Sequence, residues 1–139
     1  MNHHKEHDHT IVVGYDGSKG SRTALDWAVH EATLRDADLC IVRVWSYPDY
    51  GDLDEQWDLA QDRLEEELRE VMVSTGDLRW QAVAVKGTPA RVLVEHSADA
   101  DLLVVGSRGH GGFVGLLLGS VGHQVSNHAR VPVVIVRRA

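Results

Sequence analysis

The chain is short of the residues that staple, break or anchor a fold. Only one of its 139 residues is cysteine, Cys40, and three are proline. A lone thiol inside an apolar run excludes a disulfide scaffold and a cysteine-based zinc site. No apolar run approaches the roughly 18 residues that cross a bilayer. The opening MNHHKEHDHT has no apolar signal core either, so no membrane partner and a cytoplasmic location are expected. Positive charge is also scarce, with 14 Lys and Arg against 21 Asp and Glu and a net charge of −7. Binding nucleic acid through its phosphates calls for a basic stripe, and none is visible, so nucleic acid is not an expected partner.

What remains is the composition of one soluble globule, 43% hydrophobic and 25% charged. The negative charge is concentrated between Asp52 and Glu70, where nine acids face Arg63 and Arg69. That stretch reads as a solvated helix face, or as a recruiting surface for a basic protein partner. His3, His4, His7 and His9, interleaved with Glu6 and Asp8, precede the first apolar run. The first nine residues are expected to be disordered and the domain to occupy residues 10–139.

Four apolar runs read as strands covered on both faces: TIVVGY ending at Tyr15, CIVRVW at 40–45, DLLVVG at 101–106 and VPVVIV at 131–136. RWQAVAVK at 79–86 is more mixed and suits a sheet edge. Between them lie helical patterns over Ser21 to Arg35, Glu55 to Ser74, a third opened by Thr88 as cap and Pro89, and a fourth from Gly119 or Ser120 to about Ala129. Alternation of this kind predicts a single-domain α/β fold, a five-stranded parallel sheet with helices on both faces. Ligands of such sheets bind beyond the carboxyl ends of the strands, where strand order reverses.

Seven of the 13 glycines fall in GSRGHGGFVGLLLGSVG, between Gly106 and Gly122. Backbone so free of side chains lets an anion approach the amides, and the amino end of the next helix adds partial positive charge. A flexible crossover loop with a capping serine is the plainer alternative. No Gly-Lys-Ser or Gly-Lys-Thr makes a Walker loop, and Gly14, Gly17 and Gly20 are spaced by threes, unlike a dinucleotide fingerprint.

Gly106, two residues, Gly109, nine residues, then Gly119-Ser120 is similar to the nucleotide-binding signature of the universal stress protein family. IVVGYDGSKGSRTALDWA and VPVVIVRR resemble that family's first strand, turn and helix and its last strand. The resemblance implies strand order 3-2-1-4-5, membership of the ATP-binding branch, and an adenine nucleotide, usually ATP, as ligand, with or without Mg. It carries Asp16 over as the acid near ribose and adenine, and Val44 as the residue whose backbone meets adenine. Gly106, Gly109, Gly119, Ser120 and Val121 become phosphate and ribose contacts. Asp16 reads equally as an Asx turn capping the first helix, and the Val44 side chain as core.

Arg108 is expected to reach a triphosphate from the loop, with solvent exposure as the plainer alternative; His110 carries no assignment. Near the loop only Asp16 and Ser120 offer metal contacts, a thin inventory for hydrolysis. The function expected is therefore a nucleotide-binding stress regulator, with a slow ATP hydrolase or phosphoryl-transfer enzyme as the alternative. The same resemblance implies a homodimer through the last strand, centred on Val133 to Val136, which Val134→Pro is expected to split.

Overall fold

The computed structural model describes residues 9–45, 53–107 and 119–137, with residues 53–56 described by their backbone alone. Among the described residues nine elements alternate strictly: β1 (Thr10–Gly14), α1 (Lys19–Arg35), β2 (Asp38–Trp45), α2 (Leu53–Val71), β3 (Trp80–Lys86), α3 (Pro89–His96), β4 (Leu102–Gly106), α4 (Ser120–His128) and β5 (Val133–Val136). The strands form one sheet in the order β3-β2-β1-β4-β5, and every pair is parallel. The α/β class, the sheet and its order are thus as the sequence led us to expect.

Two apolar layers explain why the strands read as unbroken runs. Ile11, Val13, Leu39 and Ile41 pack toward α1 and α2, against Ala24, Leu25, Ala28, Leu64 and Leu68. Val12, Val42, Leu103 and Val105 face the other way, against Leu93 of α3 and Val125 of α4. Successive residues of β1 and β4 are buried on opposite faces, so neither strand has a solvent side to spend on polar residues.

Local chemistry sets the helix ends. Ser18 caps α1, its Oγ accepting from the Ser21 N–H at 3.2 Å, and the helix stops at Asp36, which is left-handed at φ 55°. The cap N–H of Asp36 returns to Ala32 and Thr33 carbonyls, as at many helix ends. Thr88 occupies the cap position of α3 with Pro89 following, but its hydroxyl makes no cap bond. Pro89, lacking an N–H, leaves one fewer unpaired donor at the start of α3.

β3 lies at one edge, as its mixed composition predicts, and β5 at the other. α2 reaches over the β3 edge with Gln61, whose Nε2 donates to the Ala82 carbonyl at 2.9 Å while its Oε1 accepts from the Ala84 N–H at 2.7 Å. At the amino ends of the central strands, His9 is tied to the domain. Its carbonyl accepts from the Asp38 N–H at 2.9 Å, and its ring Nδ1 lies 3.3 Å from Asp101 Oδ2.

Candidate functional site

The carboxyl edge of the sheet is stepped, and the step follows from strand length. β1 stops at Gly14, opposite Val42, whereas β2 continues to Trp45. The last rung between them is the Tyr15 N–H donating to the Val42 carbonyl at 2.9 Å. Backbone groups of a strand point alternately to its two flanks. Val44, two residues beyond Val42, therefore turns its N–H and C=O to the same flank, where β1 has already ended. Its side chain packs with the α3 and α4 layer. The reading of Val44 as core and its reading as a backbone contact are therefore compatible, since side chain and backbone face different ways.

On the other side of the step stands β4. Ser107, just past its end, donates from N–H to the Val136 carbonyl at 3.0 Å and accepts from the Gly119 N–H at 2.7 Å. That second bond pins the start of α4 over the end of β4, bringing Gly106 to the same edge as Gly119, Ser120 and Val121. Gly119 is the helix cap at φ −66° and ψ 166°, with no side-chain cap bond, and the first turn contains no acid. Ser120 is exposed and Val121 half-buried. An extended cap, no competing carboxylate and the positive end of a helix dipole suit an incoming anion. Arg108, Gly109 and His110 lie outside the described residues.

The floor of the step is the Asp16-Gly17-Ser18 turn. Asp16 Oδ1 accepts from the Ser18 N–H at 2.9 Å, and the Asp16 N–H donates to Ser21 Oγ at 3.1 Å. The Asx-turn reading of Asp16 is therefore correct as structure. Gly17 is left-handed at φ 86°, a conformation that favours glycine. Among the described residues no group of three or more His, Cys, Asp or Glu side chains is placed to hold a metal ion. Of the two metal contacts expected, Asp16 has Oδ1 engaged by Ser18 and Ser120 offers a hydroxyl.

Beneath this turn lies a cluster that the sequence did not disclose. The Tyr15 hydroxyl, on a side chain only 5% exposed, donates to Glu67 Oε2. Glu67 Oε1 accepts from Arg43 Nη1 at 3.1 Å. Burial, reinforced by the hydrogen bond to Glu67 and its negative charge, pushes the Tyr15 phenol up to about 12. The three residues come from β1's end, β2 and α2, so no local pattern could join them. Glu67 reads in sequence as one more acid on a solvated face. At the end of β2, Lys86 Nζ lies 5.7 Å from the centre of the Trp45 ring, and Trp45 Nε1 is buried without a hydrogen-bond partner among the described residues.

A central strand that stops short of its longer neighbour β2, with a helix start pinned over β4 on its other side, defines a doubly wound α/β protein of the kind that takes ligands at its switch point. The chain belongs to the universal stress protein family, whose profile matches residues 9–137. It is 38% identical to a universal stress protein of Mycobacterium tuberculosis over 139 residues, an alignment covering 93% of this chain and 45% of that protein. The chain spans under half the length of such curated relatives.

Among solved structures, a universal stress protein in complex with cAMP is 29% identical, with a TM-score of 0.74 over 94% of this chain and 98% of the other. UspA from Lactobacillus plantarum, at 20% identity, shares the fold with a TM-score of 0.79 over 94% of this chain and 99% of its own. A third, from Archaeoglobus fulgidus and in complex with dAMP, is 21% identical with a TM-score of 0.67 over 91% and 96% of the two chains. No helix among the described residues is long and apolar enough to cross a membrane.

Proposed function

We propose that the domain at residues 10–139 is an adenine-nucleotide-binding regulatory module of the ATP-binding branch. It works in the cytoplasm as a homodimer paired through β5, and its bound nucleotide sets its affinity for a protein partner. The observation that carries this reading is the stepped edge itself. The open flank of Val44 offers one backbone donor and one acceptor to the edge of a purine, and the uncapped start of α4 offers amides to phosphate. These two features stand on opposite sides of the Asp16 turn, as a base and a phosphate joined by a ribose require. The glycine spacing from Gly106 to Gly119 and the cAMP complex of a 29% identical relative support the same ligand class. Arg108 and Gly109 complete the phosphate side by their places in the motif, and Mg accompanies ATP through Asp16 and Ser120 where it is present.

Gly119 provides the sharpest test. Its backbone is extended and open to any residue, so Gly119→Ala introduces no backbone strain and adds a methyl group where phosphate would approach. Millimolar ATP should raise the melting temperature of the unaltered protein by mass action, more than GTP does. The shift should shrink in Gly119→Ala while ligand-free stability stays close to its original value. No shift with ATP, ADP, AMP or cAMP would overturn the proposal.

A further inference from the structure

We propose that Gln61 acts as a surrogate sixth strand, closing the β3 edge so that edge-to-edge association of this chain is restricted to β5. The inference is independent of any ligand. The Leu39 N–H donates to the Arg79 carbonyl and the Gly87 N–H to the Trp45 carbonyl. Odd-numbered residues of β3 therefore face β2, and Ala82 and Ala84 turn their backbone groups outward. In a parallel ladder, a residue of an added strand opposite Val83 would donate to the Ala82 carbonyl and accept from the Ala84 N–H. The Gln61 carboxamide makes this same pair of bonds, at 2.9 and 2.7 Å.

The amide is held in the required orientation. Nε2 carries two hydrogens and Oε1 none, and Nε2 is also 2.8 Å from Glu65 Oε2, one helical turn along. A flipped amide would set its oxygen against both the Glu65 carboxylate and the Ala82 carbonyl. Leu64 and Leu68, fully buried beneath α2, fix the height at which Gln61 meets the edge.

β5 has no equivalent cover among the described residues. The Leu103 N–H donates to the Pro132 carbonyl and the Ser107 N–H to the Val136 carbonyl, so the even-numbered residues of β5 face β4 and Val133 and Ile135 face outward. Here the structure corrects an expectation. Val134 bonds into the sheet, so Val134→Pro would break the β4 ladder, and Ile135→Pro is the change that removes an outward donor.

One open edge and two open edges have different consequences. Two copies meeting through β5 about a two-fold axis leave nothing further to pair, and growth stops. With β3 also open, each such pair would present a β3 edge at both ends. The β3 edge of a second copy would dock there in turn, and the sheet would lengthen without closing.

The experiment is sedimentation velocity over a wide concentration range, with circular dichroism as the check on folding. The unaltered chain and Ile135→Pro should show nothing larger than a pair. Gln61→Ala should give species beyond a pair whose size rises with concentration, and Gln61→Leu, which keeps the buried volume, should do the same if the alanine variant is poorly folded. Gln61→Ala combined with Ile135→Pro should stop at a pair, because only the β3 edge is left. Folded Gln61 variants that sediment like the unaltered chain would overturn the proposal. Large species persisting in the doubly substituted chain would also overturn it, tracing association to surfaces other than sheet edges.

Discussion

Alkaline pH should act on this fold through one tyrosine. Tyr15 is buried and donates to Glu67, and its pKa rises from 10.0 to about 12 on folding. The sign follows from which state keeps the proton. Between these two values the unfolded chain loses the phenolic proton while the folded chain retains it, so ionisation favours unfolding. The stabilisation from the raised pKa is complete below about pH 10 and is lost as the pH climbs through about 12. One pKa unit corresponds to about 1.4 kcal/mol, so the loss is about 1.4 kcal/mol by pH 11 and approaches about 2.7 kcal/mol above pH 12.

Burial also pushes the Cys40 thiol up, so its ionisation too favours unfolding. The informative quantity is therefore the difference between the unaltered chain and Tyr15→Phe, which keeps the ring and removes the ionisation. At pH 8 the phenylalanine variant should be less stable by about 1 to 2 kcal/mol, the worth of a hydrogen bond to a charged but partly solvated acceptor. As the pH rises the gap should shrink by about 1.4 kcal/mol at pH 11 and change sign by about pH 12, where the full loss of about 2.7 kcal/mol exceeds it. Urea unfolding followed by circular dichroism at a series of pH values measures it directly. Two chains losing stability in parallel from about pH 9 to 11.5 would refute the assignment.

Two further outcomes follow from the turns at the same edge. A β-carbon at Gly87 would lie 2.7 Å from Val92 Cγ2 on a backbone at φ 153°. Gly87→Ala should therefore cost about 1 to 3 kcal/mol in urea unfolding, and a cost near zero would mean that α3 yields freely. Asp16→Asn keeps an oxygen for the Ser18 N–H and should retain most of the stability, whereas Asp16→Ala should lose about 0.5 to 1.5 kcal/mol. Equal urea midpoints for the two would show that the Asx turn contributes nothing.

The strands, their parallel pairing and the edge position of β3 were legible because burial on both faces leaves a direct trace in composition. Helix limits were legible to within a few residues: α1 begins at Lys19 instead of Ser21, since Ser18 caps it, and α2 covers Leu53–Val71 instead of 55–74. The order of strands came from family resemblance alone. At the candidate site, the motif spacing singled out Gly106, Gly119 and Ser120, which the Ser107 to Gly119 bond gathers at one edge.

What stayed hidden depends on contacts between distant parts of the chain. Tyr15 and Glu67 are 52 residues apart, and Gln61 meets Ala84 across 23. A tyrosine at a strand end, a glutamate among eight other acids and a glutamine on a polar helix face have no local signature of partnership. Only the packing of α2 against the sheet joins them.

The step at the end of β1 also bears on how this surface tolerates change. Its open donor and acceptor belong to the main chain of Val44, while the valine side chain is packed in the opposite layer. An isoleucine or threonine in its place would leave the same two groups facing the same gap. A survey of substitutions would therefore score Val44 as an ordinary core position, sensitive to size and polarity. The open pair of groups thus depends on the relative lengths of β1 and β2 and not on which side chain stands at position 44.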